Sequence, residues 1–264
     1  MAEKKKDKDA PGTDVVTSGF AALTNVNISQ MMADEFAGLD ISFDRIKIPS
    51  GGGQYFEIPG ENPDKPEVVQ EFSAVILYHH PMLVYYREKF SSGNSAAPPD
   101  CSSWDGQTGE TREGGSGVMC ANCPNNEFGT GEKGIGKACK ARRRLYILRE
   151  GELFPMLMSL PTQSLKPFSA YLMRLFGKTG RVSSDVVTTF SLKKAKSSGG
   201  IEYSQAQFGV DRILTPEEKA IIGRLSDQVK AYSRSVGFRF DDISDADAAA
   251  MKDTDDSDDD IPLF

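Results

Sequence analysis

Val68-Val69-Gln70-Glu71-Phe72-Ser73-Ala74-Val75-Ile76-Leu77-Tyr78-His79 and Met82-Leu83-Val84-Tyr85-Tyr86-Arg87-Glu88-Lys89-Phe90 are rich in β-branched and aromatic residues. That composition predicts strands, and His80-Pro81 between them suits a tight connection. Upstream, Leu39, Ile41, Phe43, Ile46 and Ile48 nearly alternate with polar residues until Pro49-Ser50-Gly51-Gly52-Gly53 opens a loop, and Gln54 to Ile58 then reads as a further strand. Downstream, Leu145 to Arg149 and Glu152 to Leu160 read as a hairpin around Glu150-Gly151. Val186 to Lys194 and Ile201 to Val210 form a second hairpin across Ser197-Ser198-Gly199-Gly200.

Helices are fewer. Ser18 to Phe36 fits one or two short ones. Pro161-Thr162-Gln163-Ser164 opens another, with Leu165, Phe168, Leu172, Leu175 and Phe176 on one side and an end near Gly177. Thr215-Pro216-Glu217-Glu218 combines a hydroxyl cap, a first-turn proline and an acid at the capping-box position, and Ile221, Ile222, Leu225, Val229 and Tyr232 then form a line that packs on a sheet. About seven short antiparallel strands with two or three helices predict a mainly β fold, an OB-fold-like small β-barrel, although the alternation fits a sandwich equally well. The 264 residues divide into a disordered leader (1–17), one main domain (18–240) with an insertion at 91–142, and a disordered acidic tail (241–264). Apolar runs such as Ala74 to Tyr78 are too short to cross a bilayer. The charged start, Met1 to Asp9, is unlike a signal peptide, so a cytoplasmic protein with no membrane partner is expected.

Every cysteine of the chain falls between residues 101 and 139, at Cys101, Cys120, Cys123 and Cys139, in a span of Ser, Gly, Pro and Asn with hardly a large aliphatic side chain. The spacing C-x18-C-x2-C-x15-C and the lack of a local core call for a staple. Four thiolates around one structural Zn²⁺ per chain would supply it and would leave no open position for a catalytic water. A redox Cys-x-x-Cys and unrelated free thiols compete with this reading, but the α/β setting of the redox motif is missing. Within the same span Gly131-Glu132-Lys133-Gly134-Ile135-Gly136-Lys137-Ala138 imitates half of a phosphate-binding loop. Ala138 stands where the magnesium-binding hydroxyl belongs and no strand precedes it, so no nucleotide hydrolysis is expected.

From Lys133 to Lys196 there are fourteen Lys and Arg against Glu150, Glu152 and Asp185, a net of +11 in a chain whose total is −7. Lys137, Lys140, Arg142, Arg143 and Arg144 run into the strand bearing Tyr146, and Lys193 and Lys194 close another. Cations beside aromatic platforms are what sequence-tolerant single-strand binding requires. The candidate platforms are Tyr55, Tyr78, Tyr85, Tyr86, Trp104, Tyr146 and Tyr203; Trp104, in a polar Gly-rich loop, stacks on DNA or caps the metal lobe. His79 and His80, the only histidines, point to opposite faces of a strand and make no two-His metal site. No Ser-His-Asp order or paired carboxylate gives a catalytic centre, so neither an enzyme nor a small-molecule substrate is expected.

Residues 241–264 hold ten Asp against the single Lys252, and the sequence runs out in Asp258-Asp259-Asp260-Ile261-Pro262-Leu263-Phe264. An acidic run followed by an apolar tip is read as a docking plug for partner proteins. This ending is similar to the Asp-Asp-Asp-Ile-Pro-Phe tip of bacterial single-stranded DNA-binding proteins, with Leu263 inserted before Phe264. The zinc-stapled span is similar to the helix-destabilising proteins of T4-type phages, which use one His with three Cys at a different spacing. The stretch Cys123-Pro124-Asn125-Asn126-Glu127-Phe128-Gly129 through Lys140-Ala141-Arg142-Arg143-Arg144-Leu145-Tyr146 also resembles phage and prophage single-stranded DNA-binding proteins. These resemblances imply a protein that coats single-stranded DNA in replication, recombination and repair and recruits replication and recombination proteins through its tip. The alternative is an accessory protein that docks on a host hub through the tip, with DNA binding secondary.

Overall fold

The computed structural model describes residues 19–23, 27–37, 43–62, 64–87, 99–131, 134, 136–197 and 200–236. The expected leader (1–17), the tail (241–264) and its tip Asp258–Phe264 lie outside these residues. In chain order the strands are β1 (Arg45–Ile46), β2 (Phe56–Ile58), β3 (Glu67–Val69), β4 (Glu71–Tyr85), β5 (Cys101–Ser103), β6 (Thr108–Thr111), β7 (Ser116–Met119), β8 (Lys140–Arg149), β9 (Met156–Leu160), β10 (Val186–Lys196) and β11 (Glu202–Ile213). The helices are α1 (Ile28–Glu35), α2 (Thr162–Thr179) and α3 (Pro216–Val236). The protein is therefore mainly β, and among the described residues no helix is long and apolar enough to cross a membrane.

β4 organises the molecule. It runs unbroken through His80-Pro81, where the sequence predicted a tight connection. Pro81 is tolerated because only one flank of β4 is laddered there: β8 pairs it from Ala74 to Val84, whereas on the other side β10 stops at Val75 and β5 starts at Leu83. In that interval the Ser226 hydroxyl of α3 donates to the Leu77 carbonyl. The His80 ring contacts the Pro81 and Trp104 carbonyls, so side chains satisfy the backbone groups the ladder leaves open.

This sharing of one β4 edge between β10 and β5 branches the sheet. Nine strands join in the order β1-β9-β8-β4-β5-β6-β7, with β10 and β11 off the path, and β1 pairs β9 in parallel. Among the described residues the sheet does not close, which corrects the expected barrel and the all-antiparallel pairing. The β11 edge is met by α2 instead of another strand: the Ala206 N–H donates to the Ser164 hydroxyl at 2.9 Å.

Two cores lie on opposite faces. Phe56, Phe72, Ile76, Leu145, Ile147, Phe190 and Phe208 pack with Phe168 of α2, and Phe20, Val75, Leu77, Tyr146 and Leu148 with Ile222, Leu225 and Val229 of α3. A β-bulge between Ile76 and Tyr78 puts Leu77 and Tyr78 on one face, which sets the register for everything beyond. α3 begins as the sequence predicts: the Glu218 N–H donates to Thr215 Oγ1 at 3.2 Å and the Thr215 N–H to Glu218 Oε2 at 2.9 Å. α2 runs past Gly177 to a left-handed cap at Gly180. Phe176, expected on its buried side, is 63% exposed.

Candidate nucleic-acid interface and metal centre

Residues 101–119 form a β-meander instead of a bare loop, followed by two 3-10 turns at Cys120–Asn122 and Pro124–Asn126. β5 pairs the far end of β4 through Tyr85 and Cys101, β6 and β7 follow, and Lys140 already belongs to β8. The four cysteines, 38 residues apart at their extremes, all line one cleft of about 440 Å³ together with Tyr85 and Arg112. None of the four forms a disulfide. The Cys120-Ala121-Asn122-Cys123 turn is held by the Asn126 side chain, whose Nδ2 donates to the Cys120 carbonyl at 2.8 Å. The Cys139 N–H donates to the Asn125 carbonyl at 2.7 Å, tying the last cysteine to the knuckle. Gly109 faces Cys101: a Cβ there would stand 3.1 Å from its Sγ.

Burial and the nearness of Cys101, Cys120 and Cys123 push the Cys139 thiol up to about 12. Burial, followed by Cys120 and Cys123, raises Cys101 in the same way. Such mutual repulsion of thiolates is what a dication reverses. The donor set therefore fits a soft, tetrahedral, structural Zn²⁺ held by Cys101, Cys120, Cys123 and Cys139. Among the described residues no three or more His, Cys, Asp or Glu side chains stand as a ready-made metal group, so the fit rests on the shared cleft.

The basic run divides by strand alternation. Pairing of His80 with Arg144 and Met82 with Arg142 puts these arginines on the α3 face, and pairing of Pro81 with Arg143 puts Arg143 on the α2 face. Arg142 and Arg144 are only 3% and 1% exposed, and Arg143 is half-buried. Arg144 stacks on Trp104, with Cζ 4.7 Å from the ring centroid. Trp104 in turn lies 3.9 Å from the His80 ring, and Tyr78 stands 5.7 Å from His80 and 6.0 Å from Tyr146. Lys230 of α3 lies 6.0 Å over Tyr78. The result is one face on which the rings of Tyr78, His80 and Trp104 follow one another between Lys230 and Arg144; Trp104, Tyr78 and Lys230 are half-buried and Tyr146 is buried.

Other expected contacts lie elsewhere. Tyr85 lines the cysteine cleft; Tyr86, Lys137 and Lys140 are half-buried. Lys193 and Lys194 are exposed at the end of β10, where Lys194 and Lys196 both pair with Glu202. Lys194 also walls an open cleft of about 650 Å³ beside Gly52, Gly53 and the 51%-exposed Tyr55.

The two histidines take opposite faces, as the sequence indicates, and opposite roles. His79 Nδ1 accepts from Arg143 Nε at 2.9 Å while its ring meets the edge of Phe168. His80 Nδ1 instead faces two carbonyls and so carries the proton, leaving Nε2 buried with no partner among the described residues. Burial, with Arg143 and His80 nearby, lowers His79 to about 3, and burial lowers His80 to about 4 despite the two carbonyls. Both are below the ordinary 6.5. The unfolded chain therefore takes up protons below about 6.5 that the folded chain refuses. Stability is complete above that pH and falls as pH drops towards 4, by at most about 1.4 kcal/mol per pH unit per histidine. Urea midpoints at pH 7.5, 6 and 5 measure this, and equal midpoints at pH 7.5 and 5 would refute it.

Comparison with protein-family models, with curated proteins and with solved structures found no match to this chain.

Proposed function

We propose that this protein binds single-stranded DNA, with a structural zinc in its cysteine lobe, and acts by coating strands exposed in replication, recombination and repair. The observation that carries the proposal is the α3-side face of β4 and β8, where the half-buried rings of Tyr78 and Trp104 lie beside Lys230, backed by the buried His80 and Arg144. Every base has a stackable face, so half-exposed rings flanked by cations suit strand binding without sequence choice. The exposed Lys193 and Lys194 offer further cations at the end of β10, and the net +11 of residues 133–196 supplies the field. Residues 241–264, with ten Asp and the apolar Ile261-Pro262-Leu263-Phe264, serve as the docking segment for replication and recombination proteins.

Salt-dependent titration against oligo-dT, duplex DNA and RNA tests the proposal. Oligo-dT is expected to bind most tightly without nucleotide or magnesium, and log affinity is expected to fall linearly with log salt, by about 0.7 for each phosphate contact. Equal affinity for duplex, or none for oligo-dT at low salt, would refute it.

A further inference from the structure

The lobe that gathers the cysteines also displays an aromatic ring that its fold does not use. Phe128 is 49% exposed and follows the 3-10 turn Pro124–Asn126 that leaves the cysteine knuckle. Lys137 Nζ lies 5.2 Å from its ring centroid. The loop around the ring is tied down at several points. Thr130 Oγ1 donates to the Glu127 carbonyl at 2.7 Å and accepts from the Ala138 N–H at 3.1 Å. The Gly129 N–H donates to the Gly136 carbonyl at 2.8 Å, and both glycines have left-handed backbones, with φ of +86° and +64°. A single exposed aromatic is unremarkable by itself. Here hydrogen bonds at Gly129 and Thr130 hold the backbone next to a ring that stands beside a cation, and residues 127–144 carry six Lys and Arg against Glu127 and Glu132.

We infer that Phe128 and Lys137 form a stacking finger for single-stranded DNA: a base lies on the Phe128 ring and Lys137 meets the adjoining phosphate. The finger rests on the proposed DNA-binding function and adds a contact on the cysteine lobe, separate from the face formed by β4 and β8. Because the Gly129 and Thr130 hydrogen bonds already hold the backbone beside Phe128, less conformational entropy is lost there when a base docks. The ring has no hydrogen-bonding edge, so the contact is indifferent to base identity.

Anisotropy titrations of labelled oligo-dT with the full chain test this. F128A is expected to weaken binding by about 5- to 150-fold, F128Y to retain it, and both to melt at the wild-type temperature. A second readout is independent of any folding defect in F128A. The native chain has one tryptophan, Trp104, and F128W is expected to show additional fluorescence quenching on adding oligo-dT, as the new indole stacks on a base. Wild-type affinity in F128A, with no extra quenching in F128W, would overturn the finger while wild-type binding of oligo-dT upheld the function. Absence of binding by the wild type would overturn both.

Discussion

Protein prepared without chelators is expected to carry one zinc ion per chain, and replacing Cys120 and Cys123 together by Ser is expected to abolish it. The effect should be large because the lobe has almost no apolar core of its own. Among the described residues between Cys101 and Cys139, the one buried hydrophobic side chain is that of Cys120 itself. Three short strands of three or four residues each bury too little to offset roughly 1 to 2 kcal/mol of backbone entropy per residue. Structural zinc peptides gain about 10 to 16 kcal/mol on binding metal. Hydrogen exchange after chelation should therefore speed up through residues 99–139 and leave α2, α3 and the pair β10 and β11 protected, since those pack in cores on either side of β4. Metal analysis finding no zinc, with four thiols open to alkylation, would refute the assignment.

The parts of the fold legible in the sequence are those fixed by neighbours along the chain. The Thr215–Glu218 cap, the hairpin of β10 and β11 and the apolar line of α3 all follow from local spacing, and all are present. What the sequence concealed depends on distant partners. Whether His80-Pro81 breaks a strand depends on where β10 stops and β5 starts, more than a hundred residues and about twenty residues away respectively. Closure into a barrel depends on which element meets the β11 edge, and α2 takes that place. The four cysteines that the sequence groups as zinc ligands do line one cleft, and that common lining depends on β5, the 3-10 knuckle and the start of β8 coming together. Phe128 was hidden because an isolated Phe in a Gly-rich loop carries no periodic signal; its nearness to Lys137 appears only once the loop has closed.

The arginine run is the case where structure changes the experiment. By sequence Arg142-Arg143-Arg144 belongs to the cations expected to meet DNA, and its replacement reads as a test of that contact. Arg144→Ala is expected instead to destabilise the fold by about 2 to 4 kcal/mol, from the cavity left at a fully buried side chain and the lost stack on Trp104. In a domain of this size that lowers the melting temperature by about 5 to 15 °C. Arg144→Lys should restore little of it, because an ammonium lacks the plane that stacks on an indole. Lys193→Ala with Lys194→Ala is expected to do the opposite. These side chains are exposed and Lys194 pairs only with the solvated Glu202 among the ion pairs described, so the melting temperature should stay within about 2 °C. Their loss should weaken oligo-dT binding and flatten its salt dependence by about 0.7 for each phosphate contact removed. Thermal unfolding followed by Trp104 fluorescence, run beside the titrations, separates the two roles. An Arg144→Ala protein of wild-type stability with impaired binding would place that guanidinium on the DNA and not in the scaffold.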